Sequence, residues 1–355
     1  MAITTHQAPV YFSENAYQQL NYFLKRTNHS VIFILVDSNT QNCCLNAFLQ
    51  KMVTESPIEV IEMDAGEQFK NIETCSGIWN VLSELNGDRK SLIVNLGGGV
   101  VTDLGGFVAS TFKRGISYIN IPTSLLAMVD ASVGGKTGVD LGTLKNQIGV
   151  ITQPEMVLID PTYLSTLSAK EMRSGLAEIL KHGLIANEAY WQKATNLENL
   201  GLDDLEALIK ESVSIKSSIV TEDPLEKNVR KSLNYGHTLG HAIESYFLSH
   251  EDKNTLLHGE SIAIGMILAT HISSNLLDFP ENKLKNITEK LSDIYPKVNF
   301  EADDIEHIIE LLKFDKKNEY GKINFVLLKD IGKPILDQKV NNDLIINAFE
   351  YYQEN

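Results

Sequence analysis

Ser91-Leu-Ile-Val-Asn-Leu-Gly97-Gly98-Gly99-Val-Val-Thr-Asp103-Leu-Gly-Gly106 decides the fold of this chain. Ser91–Leu96 is an apolar run of the length of a buried parallel strand. Three glycines follow at once, and the remainder reads as the opening of a helix. Glycines let a backbone come close to a diphosphate, and the free N–H groups of a helix start favour anions. A plain turn is the competing reading, since glycine clusters mark turns in general. The stretch is not the dinucleotide fingerprint. Thr102 stands where the third glycine belongs, and no acid follows about 20 residues on. Asp37, upstream at the end of an earlier strand, is the acid placed to meet ribose hydroxyls.

Outward from this stretch, Val31–Val36 and Ile58–Glu62 read as strands, with helical periodicity over 40–53 and 72–86. The pattern is β-α-β-α-β, that of a doubly wound nucleotide-binding domain. Tyr118–Ile121 and Met156–Ile159 extend it, each with a proline just beyond. After about Pro161 helix-period apolar residues take over, in Ala169–Ile185, Leu202–Val220, Ser232–Phe247, Gly259–Leu276 and Asp304–Phe314. Strand signals nearly vanish there, apart from Ile323–Leu328. The expectation is an α/β nucleotide-binding domain over residues 1–157 and an all-α, mainly helical domain over 158–355.

The net charge of −15 disfavours non-specific binding to nucleic acid or an anionic membrane. An anionic small substrate therefore needs a local basic pocket. Three cysteines, Cys43, Cys44 and Cys75, form no Cys-x-x-Cys pair and point to reduced thiols in the cytoplasm. No basic-then-apolar leader is read at the N-terminus, and the longest apolar run, Ile262–Ala269, is too short to span a bilayer.

A second dense stretch, Pro122-Thr-Ser-Leu-Leu-Ala-Met-Val-Asp130-Ala-Ser-Val-Gly134-Gly135-Lys136-Thr-Gly-Val-Asp140, has Lys145-Asn146 close behind. Its hydroxyls, acids, glycines and lysine suit contact with a phosphate or a polyol. Glu178 and Lys181, three apart, share a helix face. Glu178 is flanked by Leu176, Ala177, Ile179 and Leu180, and a carboxylate buried there needs a partner, for which a metal would serve. His237 and His241, four apart, present both imidazoles to one side, and His258 follows in Leu-Leu-His-Gly-Glu. One glutamate and two histidines make a three-ligand site with open positions, as expected of a catalytic zinc. Thr238 after the first histidine speaks against a metalloprotease helix. Lys216, Arg230, Asn234, Lys316 and Lys317 complete the basic and polar set, with Arg230 and Asn234 expected on one helical face with His237 and His241.

Taken together the motifs resemble those of the 3-dehydroquinate synthases, within the sugar-phosphate cyclases, from about residue 30 to 335. The resemblance rests on Gly-Gly-Gly-Val-Val-x-Asp at 97–103, Arg114-Gly, the 122–137 stretch, Lys145-Asn146 and Gly-Leu-Ala-Glu-x-x-Lys at 175–181. It continues through Asn-x-Gly-His-Thr-x-Gly-His-Ala-Ile-Glu at 234–244, Leu-His-Gly-Glu at 257–260 and Asp-Lys-Lys at 315–317. It implies a dehydroquinate synthase-like fold and closure of 3-deoxy-D-arabino-heptulosonate 7-phosphate into 3-dehydroquinate, with release of phosphate, in the shikimate pathway. The implied route is transient oxidation by NAD, phosphate elimination, re-reduction and intramolecular aldol closure, assisted by zinc or cobalt.

By the same resemblance the metal ligands are Glu178, His237 and His258, and His241 serves the leaving phosphate. The implied NAD contacts are Asp37, Asn39, Glu67, Lys70, Gly98, Gly99, Val100, Asp103, Thr123, Ser124, Asp130, Lys136, Lys145, Tyr163, Thr166 and Leu167. Lys136, Lys181, Lys216, Arg230, Asn234, His241 and Lys317 are implied to hold substrate, and Arg114 to reach the phosphate across a homodimer interface. Three positions depart from the family pattern. Ser124 keeps the hydroxyl of the usual threonine, Lys170 keeps the charge but not the fork of an arginine, and Leu144 replaces a glycine before Lys145. A polyol dehydrogenase with the same cofactors would accumulate NADH. A sister cyclase acting on a sugar phosphate without a carboxylate would have no use for a Lys216–Arg230 clamp.

Overall fold

The computed structural model describes residues 7–142, 144–196, 201–250, 253–312 and 323–355. Two compact units emerge, Met1–Met172 with Gly201–Val213, and Arg173–Leu200 with Ser214–Asn355. The change of sequence character at residue 157 falls inside the first, at its last strand.

The first unit is built on β1 (Val10–Phe12), β2 (Ile32–Asp37), β3 (Ile58–Met63), β4 (Leu92–Gly97) and β5 (Ser117–Pro122). A hairpin of β6 (Lys136–Leu141) and β7 (Leu144–Ile151) precedes the last strand, β8 (Val157–Ile159). Helices α1 (Ser13–Arg26), α2 (Ser38–Cys43), α3 (Leu45–Lys51), α4 (Ile72–Glu84) and α5 (Gly99–Thr111) make the crossovers. The sheet order is β1-β8-β5-β4-β2-β3, with every pairing parallel. β4 and β5 lie between neighbours and are buried almost end to end, as is β2, which explains their unbroken apolar runs. β3, on the sheet edge, exposes Ile58 and Val60. The chain moves outward from β2 to β3, then returns to β4 on the other side of β2. That reversal is the topological switch point, where ligands of open parallel sheets bind beyond the strands' carboxyl ends. Asp37 and Gly97 end the two strands that flank it.

Close packing of α5 on the sheet explains part of the glycine pattern. A Cβ at Gly105 would stand 2.0 Å from Asn95 Oδ1 and 2.8 Å from Leu35 Cδ2. Asn95 is buried and donates to Asn120 Oδ1 across to β5 at 2.9 Å, so it has little room to yield. Gly105→Ala is therefore expected to cost about 1–3 kcal/mol of stability through overpacking, read as a lowered denaturation midpoint. An unchanged midpoint would mean that the helix can lift off the sheet freely.

The second unit contains most of α6 (Ala169–Ala186), α7 (Glu188–Thr195) and the end of α8 (Leu202–Glu222). It continues with α9 (His237–Ser249), α10 (His258–Leu277), α11 (Glu281–Ile294) and α12 (Ala302–Leu311). It is not all-helical. The strand expected at Ile323–Leu328 is β9 (Asn324–Asp330), which pairs antiparallel with β10 (Lys333–Lys339) before α13 (Asn342–Glu354) closes the chain. α10 is its axis, buried continuously from Gly259 to Thr270, as befits a helix apolar on all sides. Among the described residues no helix is long and apolar enough to cross a membrane.

Candidate functional site

The first unit gathers its candidate residues at the switch point. Asp37 caps α2, its Oδ1 accepting from the Thr40 N–H at 2.7 Å, and Asn39 lies exposed in that first turn. Gly98 caps α5 and Gly99 and Val100 begin it, so their N–H groups lie at the positive end of the helix. Here the glycines divide. A Cβ at Gly97 would stand 2.5 Å from Val101 Cβ, whereas at Gly98 and Gly99 the nearest atoms are Ser124 Oγ at 3.3 Å and Ala131 Cβ at 3.4 Å. The Thr123 N–H donates to Gly97 O at 3.0 Å, bringing Thr123-Ser124 beside the loop. Asp130 sits on a π-helical turn, Ala127–Ala131, a distortion frequent at functional sites.

Behind α5 a buried ionic network ties the β6–β7 hairpin down. Lys70 Nζ lies 2.6 Å from Asp103 Oδ2 and 2.7 Å from Asn146 Oδ1. Lys145 Nζ lies 2.7 Å from Glu67 Oε1 and 3.4 Å from Asp140 Oδ2. Burial opposes the charge on Lys70, but Asp103, Glu67 and Asp140 hold its ammonium above the usual lysine range. Glu67, Lys70, Asp103 and Lys145, widely separated in sequence, thus meet in one place. Tyr163 and Thr166 lie on a 3-10 turn, Pro161–Thr166, followed by Leu167. The Tyr163 hydroxyl is 3.0 Å from that of Tyr17, which donates to Asp160. Lys136 is exposed at the start of β6, and Arg114 is exposed, with φ 69°, in the turn after α5.

In the second unit three helices meet at Glu178. Glu178 and Lys181 lie on the buried face of α6, 0 % and 1 % exposed, and their side chains form an ion pair. His237 opens α9 and His258 opens α10. His237 Nε2 stands 3.3 Å, and His258 Nε2 3.6 Å, from the same oxygen, Glu178 Oε1. His241 completes a triangle of imidazoles with ring centroids 5.0–5.7 Å apart. The start of α10 is locked in place: Glu260 accepts from the Leu257 N–H at 2.7 Å, and Ser174 Oγ of α6 from the Gly259 N–H at 3.0 Å.

Burial and the Lys181 ammonium push His237 down to about 4, so its ring is neutral. Burial opposes charge on His258 as well, but the Glu244 and Glu178 carboxylates lift it to about 10, so a metal at Nε2 would replace a proton there. Burial also works against the Glu178 carboxylate, yet Lys181 and His237 hold it well below the usual range. His237 Nδ1 lies 3.1 Å from the Tyr235 carbonyl, which can only accept, so Nδ1 carries the proton. The lone pair of Nε2 then faces a carboxylate oxygen, an arrangement that asks for a cation between them. Ligand atoms about 2.1 Å from a tetrahedral zinc stand about 3.4 Å apart, close to both separations above. Glu178, His237 and His258 therefore fit a divalent metal by donor type and by their two separations at Glu178 Oε1, and His241 brings a third imidazole nitrogen within 4.8 Å of those of His237 and His258.

The stripe expected along a single helix from Arg230 to His241 does not exist. Arg230 and Asn234 belong to a 3-10 turn, Val229–Asn234, and Gly236, left-handed at φ 76°, breaks the chain before α9. The reason is packing: a Cβ at Gly236 would stand 2.7 Å from Met266 Cγ, where α10 crosses. Arg230 is 1 % exposed and its Nη1 donates to Pro224 O at 2.8 Å. Asn234 donates to Glu226 at 2.9 Å, and Lys216 is buried on α8. Sequence reasoning gave no role to Asp223, whose carboxylate accepts from the N–H groups of Lys227, Asn228 and Arg230 and so shapes this loop. The Asp-Pro dipeptide at 223–224 is the turn signal that could have found it. Lys316 and Lys317 lie outside the described residues.

Residues 60–174 match the family described as 3-dehydroquinate synthase N-terminal, and residues 175–318 that described as 3-dehydroquinate synthase C-terminal. The chain is 40 % identical over 338 residues to a 3-dehydroquinate synthase of Parabacteroides distasonis, covering 95 % of each chain. It is 40 % identical to that of Thermoanaerobacter pseudethanolicus, covering 92 % of each. Among solved structures, it is similar to a 2-deoxy-scyllo-inosose synthase complexed with carbaglucose-6-phosphate, NAD+ and Co2+, at TM-score 0.84, 27 % identity and 96 % coverage of each chain. A 2-epi-5-epi-valiolone synthase from Streptomyces hygroscopicus with NAD+ and Zn2+ bound shares the fold at TM-score 0.82 and 23 % identity, covering 100 % of this chain and 99 % of that one.

Proposed function

The chain belongs to the 3-dehydroquinate synthase family, and from that premise we propose that it closes 3-deoxy-D-arabino-heptulosonate 7-phosphate into 3-dehydroquinate and phosphate, in the cytoplasm. The observation that carries the site assignment is the convergence of His237 and His258 on one oxygen of buried Glu178. A divalent cation held by Glu178, His237 and His258 would polarise substrate hydroxyls, and NAD at the switch point would take and return a hydride. The rest falls to the protein's own side chains. Lys181 keeps Glu178 ionised in a dry setting. Lys216 and Arg230, both buried cations, supply the charge that a carboxylated, phosphorylated substrate needs in a chain of net charge −15. His241, one turn from His237, is assigned to the leaving phosphate. Asp37, Gly98, Gly99, Thr123, Ser124 and Asp130, with the Glu67, Lys70, Asp103 and Lys145 network, surround the dinucleotide. Arg114, exposed on its turn, completes the phosphate site of a partner protomer in a homodimer.

The test is phosphate release from the heptulosonate phosphate, with and without chelator, while NADH absorbance is followed. Stoichiometric phosphate, abolished by chelator and without net NADH, is expected. NADH accumulating in step with turnover would instead mean a polyol dehydrogenase. Turnover of a hexose 6-phosphate in preference to the carboxylated substrate would mean a sister cyclase.

A further inference from the structure

His237 and His258 differ in what holds their second ring nitrogen. His237 is 7 % exposed and its Nδ1 faces a neutral backbone carbonyl, Tyr235 O. The His258 side chain is 24 % exposed, at the first position of α10. Its Nδ1 lies 3.1 Å from Glu244 Oε2, a side-chain contact made from a different helix. Glu244 is 8 % exposed and sits on α9 seven residues after His237 and three after His241. Spacings of four and seven put all three on one stripe of that helix.

We propose that Glu244 is the positioning residue of His258: its carboxylate fixes the tautomer and ring orientation that turn Nε2 toward Glu178 Oε1, and so sets the affinity of the site for a divalent cation. The inference rests on the reading of His258 as a ligand. Its physical content is the usual one for metal-bound imidazole. A carboxylate on the far nitrogen pins the proton there, makes the near nitrogen a stronger donor and removes the freedom of the ring to rotate. His237 gains its orientation from burial and a local carbonyl. The more exposed His258 has only a side chain from α9 to do the same among the described residues. One helix would thus carry a ligand, the histidine assigned to the phosphate and the residue that aims a second ligand from the helix beside it.

The experiment measures the zinc dissociation constant of the full chain by competition with a fluorescent chelator, together with the melting temperature of the metal-free protein. Glu244→Ala is expected to weaken zinc about 10–100-fold, and Glu244→Gln, which keeps an acceptor but not the charge, to lose less. In a His258→Ala background Glu244→Ala should add little, since the residue acts through that imidazole. The visible spectrum of the cobalt-loaded Glu244→Ala protein should also change, reporting an altered ligand set. An unchanged dissociation constant in Glu244→Ala overturns the proposal, and so does a loss that is as large in the His258→Ala background. If His258→Ala itself leaves zinc binding intact, it is the ligand reading that fails.

Discussion

His258→Ala is expected to strip the chain of its metal during exchange against a chelator and to lower kcat/KM by about a thousandfold or more. The magnitude follows from the several kcal/mol that a Lewis-acid cation contributes to a developing charge, at about 1.4 kcal/mol per tenfold in rate. Of the three assigned ligands only Glu178 and His237 would remain, and His241 would have to leave its assigned role to supply a third donor. The fold should survive, because the side chain is a quarter exposed and opens a helix whose start is separately held by Glu260 and Ser174. The loss to stability is the one hydrogen bond to Glu244, about 1–3 kcal/mol for a buried acceptor left short of a donor. Glu178→Gln makes an informative contrast. It too should lose metal, but it also removes the carboxylate charge that pairs with the buried Lys181 ammonium, which is costly in its own right. Metal analysis showing full occupancy in an active His258→Ala protein would sink the ligand assignment.

Gly265→Ala is expected to be among the most damaging single methyl additions in the second unit. Its Cβ would stand 2.1 Å from Gly236 O and 2.9 Å from Gly240 N, where α10 crosses the start of α9. Neither obstacle is a flexible side-chain tip; both are backbone, so the helices themselves must part. Gly240 faces the same crossing, with a Cβ position 2.7 Å from Ile262 Cδ1 and 3.1 Å from Ser261 O. The expected cost is about 3 kcal/mol, at the upper end of overpacking effects, or on the order of 6–12 °C in Tm for a unit of this size. Zinc affinity should fall with it, because His237 adjoins Gly236 and His258 lies on α10, so parting the helices separates two ligands. A metal-free protein melting within about a degree of the parent would show that the crossing is looser than its glycines indicate.

The sheet was readable because it is parallel and buried on both faces. Such strands must be apolar throughout, and β2, β4 and β5 coincide with the runs read from composition alone. The long amphipathic or apolar helices α6, α8 and α10 were readable for the same reason. The β6–β7 hairpin was not anticipated, since Lys136–Ile151 is rich in glycine and polar residues and its pairing is fixed by contacts with α5 and the Lys70 network. Nor were α1, α11 and α13 assigned as elements. Along the sequence the glycine-rich stretch offers a phosphate cradle or a plain turn for all of its glycines alike; the structure divides them. Gly98 and Gly99 leave the helix start open, whereas Gly97, Gly105 and Gly106 answer to neighbouring side chains.

Of the site, the residue types and the pairing of Glu178 with Lys181 followed from sequence, since three residues along a helix is a local spacing that any α6 would honour. So did the side-by-side placement of His237 and His241. What sequence could not supply is the arrangement across helices. His258 reaches Glu178 and Glu244 only because α10 crosses α9 and α6 at glycines, and Arg230 leaves the histidine helix only because that crossing forces a break at Gly236. By itself the sequence determined the family, the fold class and which residues carry chemistry, because periodicity and local spacing are written along the chain. Tertiary structure alone decided which nitrogen of each imidazole faces the carboxylate, because that depends on acceptors brought in by the packing of separate helices.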